Sequence, residues 1–139
     1  MKTSELTGAA LVWAIATCEG YTDLHKIEGR WPHEPHLAMM PPRREYGAME
    51  LWEIGSDCDW RFFGPIIERE KLSVWWATHF VDAEGVEYGK HWYCETGCTD
   101  ENANETYCNA TGPTPLIAAM RCYVASKLGD TIDVPEELK

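Results

Sequence analysis

The chain has 139 residues, of which 45% are hydrophobic and 25% are charged, and it carries a formal net charge of −11. This length and composition are typical of one globular domain, and they exclude a fibrous repeat or a wholly disordered chain. Because affinity for nucleic acids comes largely from lysine and arginine contacts to phosphates, the negative charge disfavours DNA and RNA polymers. We therefore expect a single acidic domain over residues 1–139 that binds no nucleic acid directly.

The N-terminal sequence predicts neither export nor membrane insertion. It contains an acidic residue, Glu5, and no long apolar segment follows, so we expect no secretory signal. The longest apolar run, Ala9 to Ala16, is far shorter than the ~20 residues that span a bilayer. These features predict a soluble cytoplasmic protein without membrane contact. In that reducing compartment, we expect the six cysteines to be free thiols or metal ligands.

The first predicted element is a helix from Ser4 to Glu19, because apolar residues recur there at helical spacing and Gly20 supplies a stop. Residues 21–46 contain four prolines and no clear periodicity, which predicts a long irregular loop. Met49 to Ile54 mostly alternates apolar with acidic residues. This alternation predicts a short, half-exposed strand.

The central third of the chain predicts a short helix and a hairpin. Gly64 and Pro65 are expected to open the helix, since the missing N–H of proline costs nothing in a first turn. Leu72 to Val81 and Val86 to Tyr93 are rich in β-branched and aromatic residues and predict two paired strands. Residues 95–111 are polar and acidic, and we expect them to form a surface excursion.

A final helix is predicted from Thr114, an N-cap residue followed by Pro115, to Leu128, with Gly129 as the stop. Its apolar face is predicted by helical spacing of Leu116, Ala119, Met120, Tyr123, Val124 and Leu128. Together the elements predict an α+β fold. In this fold a short, mainly antiparallel sheet packs against N-terminal and C-terminal helices and carries long irregular loops.

Three stretches frame most of the chain: Glu5 to Leu11 with Trp13 and Ala14, Asp59 and Trp60 with Gly64 to Glu70, and Gly112 to Arg121 with Ser126 to Asp130. They resemble the NinX-like family of small phage accessory proteins, a family of unknown function. The resemblance implies a protein that acts in an infected bacterial cell, but it implies no mechanism. The segments 24–46 and 93–111 depart from the family pattern.

A candidate ligand site surrounds Trp60, which occurs in a polar stretch where an exposed ring could stack on a nucleobase. Helix starts at Gly64 and Thr114 would offer backbone N–H groups to a phosphate, and nearby arginines would add positive charge. The candidate ligand-binding residues are Asp59, Trp60, Arg61, Gly64, Pro65, Glu68, Arg69 and Thr114. The same glycines and prolines are also explained as caps and turns.

A second candidate is a zinc site formed by His91, Cys94, Cys98 and Cys108. Histidine and cysteine ligands suit tetrahedral zinc, and a metal would give order to a segment with little core of its own. The set lacks a Cys-x-x-Cys knuckle, so loosely packed thiols are the alternative interpretation. No other cofactor is expected.

The sequence contains no nucleophile elbow, Walker loop, dinucleotide fingerprint or His-Glu-x-x-His motif, so no catalytic residue is assigned. The phage context suggests a counter-defence protein that sequesters a nucleotide-derived signalling molecule without turnover. One alternative is an acidic, nucleic-acid-mimicking inhibitor of a host defence enzyme or nuclease, and another is a hydrolase or lyase acting on such nucleotides. We also expect self-association as a homo-oligomer, since the many aromatic residues would leave apolar surface.

Overall fold

The computed structural model describes residues 1–27, 36–43, 49–50, 59–81, 83–99 and 102–139. In chain order, its helices and strands are α1 (Gly8–Cys18), β1 (Thr22–Ile27), β2 (His36–Met40), β3 (Met49–Glu50), α2 (Asp59–Arg69), β4 (Ser73–Val81), β5 (Glu87–Thr99), β6 (Glu105–Gly112) and α3 (Pro115–Leu128). Short 3₁₀ helices occupy Thr3–Glu5 and Glu136–Leu138. Among the described residues, no helix combines the length and the apolar character that a bilayer crossing requires.

The chain divides into two compact units. One unit contains Met1–Leu6 and Gly55–Asp133, and the other contains Thr7–Ile54 and Val134–Lys139. Each unit includes helices and one antiparallel three-stranded sheet, with strand order β1-β2-β3 in one and β4-β5-β6 in the other. The predicted α+β fold class is therefore confirmed.

In the unit that begins at Thr7, α1 confirms the first predicted helix. Thr7 occupies the N-cap position with an extended backbone, although its side chain makes no capping hydrogen bond. Gly20 has a φ of +89°, in the left-handed region that favours glycine, and stands two residues beyond the helix. The buried residues of α1 are Ala10, Leu11, Val12, Ala14, Ile15 and Ala16.

The same unit corrects the prediction of an irregular loop over residues 21–46. Within the described part of this segment, β1 and β2 pair antiparallel, with a register shift between Thr22 and His25 beside the positive φ of Asp23. Such an irregularity interrupts the alternation by which a strand is predicted. β3 adds two residues of the strand predicted up to Ile54, and the rest of that strand lies outside the described residues.

In the other unit, β4 and β5 confirm the predicted hairpin. β5 is longer than predicted: residues 87–95 pair with β4, and residues 92–99 pair with β6. The predicted surface excursion at 95–111 is therefore wrong, because most of it forms the β5–β6 ribbon. On the face of this ribbon that includes Cys94, the buried side chains are those of Cys94, Thr96 and Ala110, which are too small to produce an apolar pattern in the sequence.

The helix α3 packs against β5 and β6 and confirms the last predicted helix. The Thr114 hydroxyl accepts a hydrogen bond from the Ile117 backbone N–H at 3.2 Å, and Gly129 ends the helix with a φ of +89°. The predicted apolar residues Leu116, Ala119, Met120, Tyr123 and Val124 are buried, whereas Leu128 is exposed.

The helix α2 begins at Asp59 and contains Pro65 in its interior. The predicted helix start at Gly64 and Pro65 is therefore wrong, and these two residues offer no free N-terminal turn to a phosphate. Pro65 has no N–H, so the Arg61 carbonyl lacks the donor that the next turn normally supplies. The helix tolerates this loss because both residues are exposed, while Phe63 on another side of α2 is buried and stabilises it by about 1.5–3 kcal/mol.

Candidate functional site

Most of the predicted ligand-binding residues lie on α2. Those with described side chains are Trp60, Arg61, Gly64, Pro65, Glu68 and Arg69. At 3.6 residues per turn they occupy one side of the helix, and all except the half-buried Gly64 are exposed. Phe63 and Ile66 lie on the other side and are buried. Asp59 is the first residue of α2, and its side chain lies outside the described residues.

Trp60 provides the largest flat surface on this side of α2. Its side chain is 51% exposed although it belongs to a helix. A Cβ atom placed on Gly64 would lie 3.8 Å from the Trp60 Cε3 atom, so the ring lies beside the bare backbone of Gly64, one turn along the helix. The indole therefore presents aromatic surface to solvent, which is what stacking on a nucleobase requires.

Arg69 takes part in a cluster that connects α2 to α3. Its Nε lies 3.1 Å from Glu70 Oε1, its Nη2 donates to the Tyr123 hydroxyl at 3.4 Å, and Lys127 Nζ lies 3.0 Å from Glu70 Oε2. Burial raises the pKa of Glu70, but hydrogen bonds and charge from Lys127 and Arg69 outweigh it and leave this pKa below its usual value. Arg69 therefore contributes to the contacts between α2 and α3.

Arg61 differs from Arg69, because it is exposed and forms no ion pair with a described residue. Thr114 is occupied in capping α3, as its hydroxyl accepts the Ile117 N–H. With a rise of 1.5 Å per residue, Thr114 stands roughly 20 Å along the α3 axis from Lys127, and so it does not join the Glu70 cluster. Of the predicted ligand-binding residues, Trp60 and Arg61 are therefore exposed residues of α2 outside the Glu70 cluster.

The four predicted zinc ligands are not brought together. Cys98 and Cys108 are joined by a disulfide with a Cα–Cα distance of 6.1 Å, so the expectation of free thiols is wrong for these two residues. His91 lies on the face of β5 opposite Cys94 and Cys98, because successive strand residues point to opposite faces. Within the described part of the chain, no group of three histidine, cysteine or acidic residues is placed to hold a metal ion.

Cys94 has a different neighbour, Cys122 of α3, which the spacing of the sequence did not suggest. Both thiols are buried, and Cys122 Sγ donates to the Cys108 carbonyl oxygen at 3.3 Å. A hydrogen bond with Cys94, together with burial, raises the pKa of Cys122. Burial and these hydrogen bonds therefore favour the neutral thiol of Cys122.

Removing the disulfide is expected to destabilise the β5–β6 ribbon. Cys98 and Cys108 are 10 residues apart, and a cross-link over such a loop restricts the unfolded chain by roughly 2–3 kcal/mol. The double variant Cys98→Ser/Cys108→Ser should lose about this much free energy of unfolding in urea denaturation. Cys18→Ser, which alters a cysteine outside the disulfide, is the control and should change it by less. Equal stability of the double variant and the wild type would contradict this prediction.

Arg121 is a second residue whose environment was not predicted from the sequence. It is 9% exposed, its Nε donates to the Leu6 carbonyl at 2.8 Å, and its Nη1 donates to the Thr111 carbonyl at 2.9 Å. Burial lowers the pKa of Arg121. The sequence feature that could have indicated the burial of Arg121 is its position between Met120 and Cys122, inside the apolar part of α3. Arg121 joins the segment before α1 to the end of β6.

These features define a small acidic α+β protein. Two of the three stretches that resemble the NinX-like family form α2 and α3, and α2 carries the exposed Trp60 and Arg61. The family model described as Bacteriophage P22, NinX matches residues 2–127, and the chain belongs to this family. No curated protein matches the chain. The family description supplies the phage context and names no activity.

Proposed function

We propose that this phage accessory protein acts against host defence by binding a nucleotide-derived signalling molecule and sequestering it without turnover. The observation that supports the proposal is the exposed Trp60 of α2, which is followed in the helix by the exposed Arg61. An indole stacks on a nucleobase of any identity, and a guanidinium binds phosphate oxygens through two parallel hydrogen bonds.

The net charge of −11 is compatible with such a ligand. A polymer experiences the field of the whole surface, whereas a small ligand responds mainly to charges within a Debye length, about 8 Å at physiological ionic strength. Arg61 has no ion-pair partner among the described residues, and Glu68 lies two turns away from it on α2. Among the described side chains of α2, Arg61 is the charged residue nearest to Trp60 in the sequence, and its charge is positive.

Binding without turnover is supported by the side chains on this surface. Glu68 is the one acidic residue among the described side chains on the exposed side of α2, and no histidine, serine or cysteine accompanies it there. Nucleophilic catalysis requires a nucleophile within hydrogen-bond reach of a base, and the described residues of this surface supply no such pair.

The test is calorimetry against a panel of cyclic and ADP-ribose-type nucleotides. For a ligand that binds the wild type, Trp60→Ala is expected to weaken affinity by about 5- to 150-fold, which corresponds to losing ~1–3 kcal/mol of stacking. Trp75→Ala is the matched control, since Trp75 is also exposed but lies on β4. It should leave the affinity unchanged.

Three results would count against the proposal: a complete panel without binding, equal losses in the two tryptophan variants, or chemical conversion of the bound nucleotide. Ligand recovered intact after heat denaturation of the complex supports sequestration. A converted ligand would instead indicate the hydrolase or lyase interpretation.

The net charge favours one further candidate, an acidic inhibitor that occupies the basic site of a host defence enzyme or nuclease. Its inhibition would decrease steeply with added salt, and neutralising exposed acidic residues such as Glu105 would weaken it. Trp60→Ala and added nucleotides would leave such inhibition unchanged, which separates it from the proposed function.

A further inference from the structure

Four cysteines meet where α3 packs against one face of the β5–β6 ribbon. They are Cys94 and Cys98 of β5, Cys108 of β6 and Cys122 of α3. Residues 94, 96 and 98 pair with residues 110, 108 and 106, and paired or alternate residues of a sheet share a face. Gly112 belongs to this face, and a Cβ atom there would lie 2.6 Å from the Ala118 nitrogen of α3. The three cysteines of the ribbon therefore face the helix that carries the fourth.

The four cysteines form a connected series. Cys98 is bonded to Cys108, and Cys122 Sγ donates to the Cys108 carbonyl oxygen at 3.3 Å, so Cys122 lies against one partner of the disulfide. Cys122 also forms a hydrogen bond with Cys94. The order of the series is therefore Cys94, Cys122, Cys108, Cys98.

The two ends of this series differ in burial. Cys94 and Cys122 are fully buried, whereas Cys98 and Cys108 are half-buried. Because thiol–disulfide exchange depends on access, a dissolved thiol reaches the existing disulfide more readily than the inner pair. Cys122 stands between them, next to a disulfide on one side and a second thiol on the other. These are the two neighbours that an internal transfer of the disulfide requires.

We propose that these residues form a thiol–disulfide exchange site, in which the disulfide moves from Cys98 and Cys108 to Cys94 and Cys122. In the first step, Cys122 loses its proton and attacks the Cys108 sulfur, and Cys98 leaves as a thiolate that takes up a proton. In the second step, Cys94 loses its proton, attacks the Cys122 sulfur and releases Cys108, which is protonated in turn. Each step forms one S–S bond and breaks one, so the transfer needs no external oxidant.

The transfer changes what the disulfide joins and how well it is protected. The existing bond joins two neighbouring strands, whereas the transferred bond joins β5 to α3 and is buried, where dissolved thiols reach it less readily. Only a thiolate attacks a disulfide, and burial favours the neutral thiol of Cys122. We therefore expect the transfer to take minutes to hours, as uncatalysed disulfide rearrangements do.

The test is disulfide mapping of the full chain by mass spectrometry. The purified chain is kept without added thiol or oxidant for up to about 24 hours, and samples are blocked with N-ethylmaleimide in acidic denaturant. Trypsin cleaves on both sides of residues 122–127, so Cys122 is released on a peptide of its own. We expect this peptide to be joined to residues 91–121 through Cys94, with N-ethylmaleimide on both Cys98 and Cys108.

Variants separate the two steps. Cys94→Ser blocks the second step, so residues 122–127 should be joined through Cys108, with Cys98 alkylated. Cys122→Ser removes the attacking sulfur, so all joining of the two peptides should be lost and the original disulfide should persist. Cys18→Ser, which alters a cysteine of α1 outside the series, is the control and should leave the wild-type pattern unchanged.

Three results would overturn the proposal. The first is a wild type in which Cys122 is alkylated in every chain at all times. The second is a linked peptide in which Cys98 and Cys108 are also bonded, because two disulfides in one chain require an oxidant from solution. The third is equal joining of Cys122 to Cys94 in the folded chain and in the chain unfolded by urea, which would indicate chance encounter and no dependence on the fold.

Discussion

Replacing Gly112 with alanine is expected to lower the free energy of unfolding by about 3 kcal/mol, at the upper end of the range for overpacking. A Cβ atom at this position would lie 2.6 Å from the Ala118 backbone nitrogen and 3.1 Å from the Ala118 Cα. Both atoms belong to α3, which the Thr114 cap and the packing against β6 hold in place. Because backbone atoms cannot rotate away as a side chain does, β6 or α3 must shift.

The matched control for Gly112→Ala is Gly97→Ala in β5. A Cβ atom at Gly97 would have no neighbour within 4 Å, and neither glycine has a φ in the left-handed region. Gly97→Ala should therefore leave stability unchanged or increase it by a few tenths of a kcal/mol. Urea denaturation of the two variants compares them directly. Equal midpoints would show that the close approach of α3 to β6 does not require glycine at position 112.

The helices α1 and α3 could be predicted because their boundaries depend on local chemistry. Thr114 caps α3 through a hydrogen bond three residues along the chain, and Gly129 ends it through its own backbone conformation. The start of α2 was mispredicted for the same local reason. Gly64 and Pro65 look like a helix start, but burial of Phe63 and Ile66 carries the helix through them.

The β5–β6 ribbon could not be predicted from apolar alternation, because its buried face consists of small side chains. Cys94, Thr96 and Ala110 are buried on strands against which α3 packs, and α3 follows in the sequence. The four candidate zinc ligands were chosen by residue type and by closeness in sequence. In the structure His91 points to the face of β5 opposite Cys94 and Cys98, and Cys98 is bonded to Cys108.

The exposure of Trp60 was predicted from the polar residues around it and is confirmed, and the residue belongs to α2. The environments of Arg121 and Cys122 depend on contacts with Leu6 and Cys108, which are distant in sequence. Sequence patterns therefore locate exposed candidates such as Trp60 more readily than they identify buried polar contacts.

Replacing Arg121 with methionine is expected to lower the free energy of unfolding by about 3 kcal/mol. Methionine fills much of the same volume but donates no hydrogen bond, so the Leu6 and Thr111 carbonyls lose charge-assisted bonds of 2.8 and 2.9 Å. Such bonds contribute roughly 1.5–3 kcal/mol each, and part of this loss is offset because a buried cation no longer has to be desolvated. The segment before α1 should be affected first, since Arg121 is one of its attachments to α3.

The measurement combines urea denaturation with amide hydrogen exchange of residues 1–6. Arg121→Met should lower the urea midpoint and accelerate exchange in that segment, whereas Arg61→Met, which alters an exposed arginine of α2, should change stability by less than about 0.5 kcal/mol. Arg121→Lys distinguishes charge from geometry: one ammonium group cannot reproduce two bonds donated from different nitrogens of a planar guanidinium. We therefore expect it to behave like the methionine variant. Full stability of Arg121→Lys would show that the positive charge alone holds the Leu6 and Thr111 carbonyls together.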